Sequence, residues 1–116
     1  MTTAPLPAHV LKLIERAVSH CPPEIASTVT RQASKALLVS ETAGRRLDVS
    51  VPMNSVLIPA PNGPLRPIPG VETITGESTG ELIVWVRDGL LIGLERPWWT
   101  DEAPDEWPGA EDLRFD

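Results

Sequence analysis

Apolar positions in the first third of the chain recur at the spacing of helices. Between residues 7 and 19 they follow the i, i+3, i+4, i+7 stripe of one buried face, which predicts an amphipathic helix. Pro7 suits the first helical turn, and Pro22-Pro23 forbids continuation of the helix beyond that point. A second helix is predicted from residue 23 to about residue 37, because acidic Glu24 lies near its N-terminus, where the helix dipole favours negative charge.

After the second helix the pattern changes from helical to alternating. Residues 36–41 fit either the last turn of that helix or a first strand. Residues 47–51 alternate apolar with polar side chains, which predicts a half-buried strand. Six prolines between residues 52 and 70 permit only a short edge strand at 55–58 within an extended loop. A further strand is predicted at 71–75, shortly before the last hairpin.

The strongest local signal is a β-hairpin at residues 81–96. Asp88-Gly89 lies between two apolar runs, and glycine readily takes the positive φ that a type I′ turn requires. Folding about this turn gives the opposed pairs Arg87–Leu90, Trp85–Ile92, Ile83–Leu94 and Glu81–Arg96. Both faces of the resulting hairpin are apolar, so both faces need a cover. We therefore expect the helices on one face and the C-terminal segment on the other.

Together these elements predict an α+β fold. Two N-terminal helices pack on an antiparallel sheet of about four strands, and a Pro-, Trp- and acid-rich C-terminal segment covers the hairpin. A chain of 116 residues fits a single domain. Within it, residues 7–37 form the helical part, residues 45–96 form the sheet with its proline-rich loop at 52–70, and residues 97–116 form the acidic C-terminal segment.

The net charge of −6 is concentrated at the C-terminal end of the chain. Residues 1–94 hold equal numbers of acidic and basic side chains, whereas residues 95–116 hold eight acids against Arg96 and Arg114. An acidic surface of this kind favours a basic protein as partner. It argues against nucleic acid as partner, because phosphate binding requires clustered lysines and arginines.

Composition excludes several other classes of protein. No apolar run approaches the ~20 residues that span a bilayer, and the N-terminus lacks the pattern of a secretory signal. Cys21 is the only cysteine, which excludes an internal disulfide and is typical of a cytoplasmic protein. One cysteine and two histidines do not make the usual structural zinc site. The sequence predicts neither a metal ion nor a cofactor.

Three short patterns suggest chemistry, and each is a weak signal. The letters G-x-S-x-G at 76–80 require a helix after Ser78, but a strand follows, so we interpret the stretch as a turn between strands. His20 and Cys21 are adjacent at a helix end, where neighbouring side chains do not face each other. The DEAP-DEWP repeat at 101–108 clusters four carboxylates, but its regularly spaced prolines oppose a wrapped cation cage.

The C-terminal segment is the candidate binding site. Tryptophan is enriched at interface hot spots, and acidic neighbours accelerate the encounter with a basic partner. The predicted partner-binding residues are Trp98, Trp99, Asp101, Glu102, Asp105, Glu106 and Trp107. They indicate a non-catalytic protein-binding module, such as an immunity or antitoxin-like inhibitor of a basic toxin. In the purely structural alternative, the three tryptophans seal the far side of the sheet.

Two other classes of function are open at this point. The chain can be an assembly subunit that homodimerises through the second apolar face of its hairpin. It can also be a small acid–base enzyme in which Glu102 or Asp105 acts in a cleft beneath the C-terminal segment. The binding module predicts association rates that fall with salt, whereas the assembly subunit predicts a concentration-dependent mass with weak salt sensitivity.

The order of residues in the last third of the chain resembles a known pattern. "ELIVWVRDGLLIGLE" followed by "WWTDEAPDEWP" is similar to the C-terminal signature of small uncharacterised actinobacterial proteins. In those proteins a strand-DG-strand hairpin precedes a W-T-D-E-x-P-x-x-W-P stretch. The resemblance covers about residues 81–108, and it implies no particular chemistry. It does imply one structural unit made by Trp99, Thr100, Asp101, Glu102, Pro104 and Pro108.

Overall fold

The computed structural model describes residues 3–115, which form two α-helices and nine short strands. The helices are α1 (Ala8–Ala17) and α2 (Pro23–Lys35). The strands are β1 (Ala4–Pro5), β2 (Leu37–Thr42), β3 (Arg46–Ser50), β4 (Gly63–Pro64), β5 (Gly70–Glu72), β6 (Ser78–Glu81), β7 (Ile83–Arg87), β8 (Leu90–Glu95) and β9 (Leu113–Arg114). A short 3-10 helix at Ala110–Asp112 precedes β9.

The strands pair antiparallel and form two sheets. The larger sheet has six strands in the order β1-β2-β3-β8-β7-β4, and the smaller sheet has three strands in the order β6-β5-β9. The α+β class is therefore confirmed, but the expected single sheet of about four strands is wrong. Two-residue strands such as Ala4–Pro5 and Gly63–Pro64 extend the larger sheet at its edges, where proline is tolerated.

The two helices pack against one face of the larger sheet. The buried residues of α1 lie at the predicted helical spacing, and they are Val10, Leu13, Ile14 and Ala17. They share one core with Leu82, which lies between β6 and β7, and with inward-facing side chains of the sheet, among them Leu47, Val84, Val86, Leu91 and Leu94. The predicted helices are confirmed, although β1 precedes them and α1 ends two residues earlier than expected. No helix within residues 3–115 is long and apolar enough to cross a membrane.

Several strands differ from the predicted ones. Residues 37–42 form β2, so the strand is the correct alternative to a last helical turn. The short edge strand that the prolines would permit at 55–58 does not form, and the Ile58 amide donates instead to the Gly89 carbonyl of the hairpin turn. Residues 78–81 form β6, so the predicted connecting turn lies earlier, at 73–76. In this turn the Gly76 amide donates to the Thr73 carbonyl.

The hairpin forms with its predicted turn but with a different register. Asp88 and Gly89 have φ values of 53° and 77°, both positive as a type I′ turn requires. The pairing then skips Ile92, so Trp85 lies opposite Gly93 rather than opposite Ile92. This extra residue is a β-bulge, and it moves the later residues of β8 to the other face. The predicted pairs Trp85–Ile92, Ile83–Leu94 and Glu81–Arg96 are therefore wrong.

The bulge decides which side chains reach the core. Leu94 lies opposite Val84, and both are buried on the inner face rather than placed beside Ile92 on the outer one. The outer face keeps Ile83, Trp85 and Ile92, which are half-buried. It also carries charged side chains from β3, β7 and β8. The hairpin is thus apolar on its inner face and mixed on its outer face, which reduces the need for a second cover.

One buried amide side chain holds the proline-rich loop to the hairpin turn. Gln32 on α2 is 2% exposed, and its Nε2 donates to the carbonyls of Val56 and Gly89 at 2.8 and 2.9 Å. Its Oε1 accepts a hydrogen bond from the Leu91 amide at 2.8 Å. These bonds satisfy a polar group whose burial would otherwise be costly. Residues 52–62 therefore follow a fixed course although they form no strand.

Candidate functional site

The C-terminal segment leaves β8 and crosses to the smaller sheet. The Pro97 carbonyl accepts a hydrogen bond from the last amide of β6, and Trp98 forms a β-bridge with Gly80. The Trp99 amide then donates to the Thr79 carbonyl at 3.2 Å, so the segment runs along β6. A Cβ atom at Gly80 would overlap the Pro97 carbonyl oxygen. This close approach of two backbones therefore depends on glycine.

Two arginines hold the next part of the segment through its main chain. Arg45, in the turn between β2 and β3, donates from Nε to the Pro104 carbonyl at 3.0 Å. Arg96 donates from Nη1 to the Glu106 carbonyl at 2.7 Å. Gly44 has a φ of 77° and lets the backbone of residues 105–106 lie directly against the turn. Both guanidinium groups thus bind carbonyl oxygens of the segment rather than its carboxylates.

Arg96 is a partly buried cation at the base of the segment. Burial lowers its pKa, and the charge of the Asp112 carboxylate acts in the opposite direction. Its Nε is buried and has no hydrogen-bond partner among residues 3–115. Arginine does not lose its proton in proteins, so Arg96 remains charged despite the lowered pKa. It therefore keeps its strong, charge-assisted bond to the segment.

The predicted carboxylates of the segment lie at the surface. The side chains of Asp101, Glu102, Asp105 and Glu106 are all exposed. In the part of the chain that the structure describes, the ion pair within 4 Å joins Arg46 to Asp48 and involves none of them. The arginines of the chain therefore do not neutralise these carboxylates. Their negative charge is presented to solvent, where it attracts positive groups.

The three tryptophans of the segment have different environments. Trp99 is 57% exposed, and its indole N–H donates to a β6 carbonyl at 3.1 Å. Trp98 is 40% exposed, with the Arg45 guanidinium 5.6 Å from the ring centroid. Trp107 packs against the core, and its indole N–H donates to the Glu41 carboxylate at 2.7 Å. Trp98 and Trp99 are open to a partner, and together with the four exposed carboxylates they are termed the acidic face.

A groove lies between the C-terminal segment and the smaller sheet. Its volume is about 370 Å³, and it is lined by residues 104–108 on one side and by β5 with its following turn on the other. The charged side chains that line the groove are one cation, Arg96, and four carboxylates, which belong to Glu72, Asp105, Glu106 and Asp112. The half-buried Trp107 forms an apolar wall beside them. A lysine or arginine would meet apolar surface along its stem and carboxylates at its head.

The segment does not cover the hairpin as expected. Its contacts run to β2 and the turn that follows, to β6, to α1 and, through β9, to β5. No residue from 97 to 115 lines the depression on the outer face of the hairpin. The smaller sheet takes up the segment instead, and Leu113 in β9 is buried there. The sequence does not reveal this strand, because two residues are too few for an alternating pattern.

Gly44, Gly80 and Arg45 belong to the site but have no distinctive local signal. All three lie far along the chain from the segment that they hold, and local periodicity carries no information on such contacts. The usable signal is Arg45-Arg46, the adjacent basic pair of a chain whose excess acid lies at its other end. Of this pair, Arg45 binds the acid-rich segment through the Pro104 carbonyl, whereas Arg46 lies in β3 and pairs with Asp48.

The remaining chemical candidates are engaged elsewhere. The His20 ring stacks on Phe115 with ring centroids 3.9 Å apart. Cys21 donates from Sγ to the Arg66 carbonyl at 3.4 Å. Neighbouring imidazole and thiol therefore do not form a catalytic pair. Across residues 3–115 no three His, Cys, Asp or Glu side chains converge as a metal site would require.

Cys21 should be nearly inert towards alkylation in the folded protein. It is 8% exposed, and burial raises the pKa of its thiol, so the reactive thiolate is scarce near neutral pH. We expect iodoacetamide to label Cys21 at least about tenfold more slowly in buffer than in urea, as measured by mass spectrometry. The exposed control is Ser19→Cys in a Cys21→Ser background. Equal rates in buffer and in urea would contradict the buried position.

Two sequence patterns bear on kinship with known proteins. Ser78, at the centre of the G-x-S-x-G letters, begins β6, and β7 follows where a nucleophile elbow requires a helix. The pattern at 81–108 that resembles small actinobacterial proteins stays a prediction. Comparisons of the chain with protein-family models, with curated proteins and with solved structures found no match.

Proposed function

We propose that the chain is a non-catalytic binding module that inhibits a basic protein, in the manner of an immunity or antitoxin protein. The observation that carries the proposal is how the acidic face is anchored. Arg45 and Arg96 bind main-chain carbonyls and leave four carboxylates exposed. Like charges held close together repel one another and reduce stability. A positively charged partner removes this repulsion when it binds.

Inhibition by this surface is electrostatic and steric. The exposed carboxylates attract the basic partner and accelerate the encounter. Trp98 and Trp99 then supply apolar contact, and aromatic side chains of this kind contribute most to interface energy. Asp105 and Glu106 line the groove beside Trp107. This groove receives a lysine or arginine of the partner. In a nuclease, the same carboxylates occupy positions that otherwise hold phosphates.

Cellular location and kinship are further parts of the proposal. A cytoplasmic location agrees with Cys21 as the lone, unpaired cysteine, since disulfides are rare in that compartment. Kinship with the small actinobacterial proteins agrees with the local order of the segment, where the Thr100 hydroxyl donates to the Glu102 carbonyl at 2.9 Å. Relatives of this kind would present the same acidic face to their own partners.

The assembly alternative has less support. It requires an apolar outer face of the hairpin, and that face carries Arg46, Asp48, Arg87 and Glu95 among its apolar side chains. Charged residues are depleted at the cores of protein interfaces, so a stable homodimer through this face is disfavoured. A mass that rises with concentration in sedimentation experiments would restore the alternative.

Removal of the exposed charges should greatly slow capture of the partner. The variant combines Asp101→Asn, Glu102→Gln, Asp105→Asn and Glu106→Gln, and it keeps the main-chain anchors of the segment. We expect its association rate to fall about 10- to 1,000-fold at low salt, because electrostatic steering is lost. Immobilised wild-type protein captures the partner from a lysate of the native host. Surface plasmon resonance then measures the association of the purified partner with both proteins.

A second variant separates the acidic face from net charge. It combines Glu15→Gln, Glu24→Gln, Glu77→Gln and Asp88→Asn, all at exposed positions, and has the same net charge as the first variant. It should keep most of the wild-type rate and the steep fall of that rate between low salt and about 0.15 M salt. Capture of the partner by the first variant as fast as by wild type would refute the proposal.

A further inference from the structure

A second concave site lies on the outer face of the six-stranded sheet. The depression has a volume of about 220 Å³ and spans β3, β8 and β7. Gly93 forms its floor, because Gly93 pairs with Asp48 on one side and with Trp85 on the other. Directly opposite residues of antiparallel strands lie on the same face of a sheet. A Cβ atom at Gly93 would overlap the Leu47 carbonyl oxygen, so this glycine lets the β3 main chain lie directly against β8. The pit opens between the larger side chains on either side of it.

The indole of Trp85 forms a fixed wall of this pit. Its Nε1 donates to the Glu95 Oε1 at 3.0 Å, which sets the orientation of the ring. The side chain is half-buried, so part of the ring surface stays open to the pit. Aromatic rings stack favourably on such a surface. A glycine floor beside an aromatic wall thus favours a flat ligand.

Charges of both signs line the pit, and Arg87 forms its positive end. Both carboxylate oxygens of Asp48 are occupied, one by Arg46 Nε at 3.3 Å and the other by the Ser40 hydroxyl at 2.7 Å. Arg87 also lines the pit, on the same face of β7 as Trp85. It is exposed, and it forms no ion pair with any residue between 3 and 115. The Glu95 carboxylate also has no ion-pair partner between residues 3 and 115, but it lies opposite Ile83, at the other end of β7, and accepts the Trp85 N–H. The lining is therefore neutral overall, with its positive end at Arg87.

We propose that this pit binds a small aromatic carboxylate. The ring of the ligand stacks on Trp85 above Gly93, and its carboxylate accepts two parallel hydrogen bonds from the Arg87 guanidinium. The pit is smaller than the roughly 300–1,000 Å³ of drug-sized pockets, so it fits a ligand of one ring. A neutral ring would leave Arg87 unpaired, and a cationic ring would be repelled by it. The site is separate from the acidic face, since no residue from 97 to 115 lines it.

The test is a titration of ¹⁵N-labelled protein with benzoate, followed by nuclear magnetic resonance. The indole N–H signal of Trp85 is assigned with Trp85→Phe. We expect saturable shifts of this signal and of the Gly93 amide, and at least about tenfold weaker binding by Arg87→Gln, because the charge-assisted bonds are lost. Benzamide, which lacks the charge, and cyclohexanecarboxylate, which lacks the flat ring, should each bind several-fold more weakly than benzoate.

Two further variants serve as a control and as a test of whether the geometry of the guanidinium group matters beyond its charge. Arg66→Gln changes an exposed arginine outside the pit and should bind benzoate as wild type does. Arg87→Lys keeps the charge without the planar fork and should bind with intermediate affinity. The proposal is overturned by the absence of a saturable shift at Trp85, by equal affinity of Arg87→Gln and wild type, or by benzamide binding as tightly as benzoate. Unchanged amide chemical shifts away from the pit would show that each variant at an exposed position is folded.

Discussion

Gln32→Leu should destabilise the protein by about 2–4 kcal/mol, because it removes two buried hydrogen bonds and one part-buried hydrogen bond. The leucine fills much of the volume of the amide but offers no polar atom to the carbonyls of Val56 and Gly89 or to the amide of Leu91. The Gly89 carbonyl keeps the Ile58 amide as a donor, whereas the buried Leu91 amide loses its partner, which costs about 1–3 kcal/mol. Urea unfolding measures the loss, and a lower midpoint at an unchanged slope attributes it to the free energy of unfolding.

Arg31→Leu is the matched control for Gln32→Leu. It places the same leucine at the preceding position of α2, which is exposed, and should change the free energy of unfolding by less than about 0.5 kcal/mol. Gln32→Leu should also loosen residues 52–62, seen as faster hydrogen exchange of the Ile58 amide, which donates to the Gly89 carbonyl. A loss of stability below about 1 kcal/mol would show that the loop is held by other contacts.

Gly80→Ala should detach the C-terminal segment without altering any charge. The added methyl group overlaps the Pro97 carbonyl and crowds the Trp98 backbone, and neither main-chain group can rotate away. We expect a loss of about 1–3 kcal/mol in the free energy of unfolding, as at other overpacked sites. The local effect is larger, because the Trp99 amide loses its bond to the Thr79 carbonyl. Faster hydrogen exchange of that amide measures the detachment.

Gly70→Ala is the control on the neighbouring strand. The atom nearest to its added Cβ lies 3.8 Å away, an ordinary contact, so this variant should leave the Trp99 amide protected. Gly80→Ala also tests whether the partner requires a fixed acidic face, because its four carboxylates remain while their anchorage is lost. Unchanged protection of Trp99 in Gly80→Ala would mean that the bridge between Trp98 and Gly80 does not hold the segment.

The helices and the hairpin turn follow from local patterns. The apolar stripe of α1 and the turn at Asp88-Gly89 each depend on residues close together in the chain, and both are found as predicted. The register of the hairpin is not local. The bulge at Ile92 brings Leu94 into the core, and the benefit of that choice comes from packing against distant helices. A prediction that assumes strict alternation of inward and outward side chains cannot detect the extra residue of a β-bulge.

The residue types of the acidic face can be predicted from the sequence, but the contacts that position it in the fold cannot. Its carboxylates and tryptophans are evident from the sequence, and the carboxylates are exposed in the fold. Its attachment depends on contacts such as that of Arg45 with a carbonyl 59 residues away, which a single sequence does not record. The strands β4 and β9 have two residues each, so no period of two can be recognised in them. Both take their place because the longer strands β7 and β5 pair with them.

The attachment of the acidic face has a consequence for how its specificity can be altered. Arg45 and Arg96 bind main-chain oxygens at positions 104 and 106, and they do so whatever side chains stand at the exposed positions. The segment therefore resembles an antibody loop on a rigid framework, where recognition varies while the supporting architecture does not. A library randomised at residues 101, 102, 105 and 106 should match or exceed the melting temperature of the parent, because it loses the repulsion between carboxylates, and it should yield binders for targets of quite different chemistry.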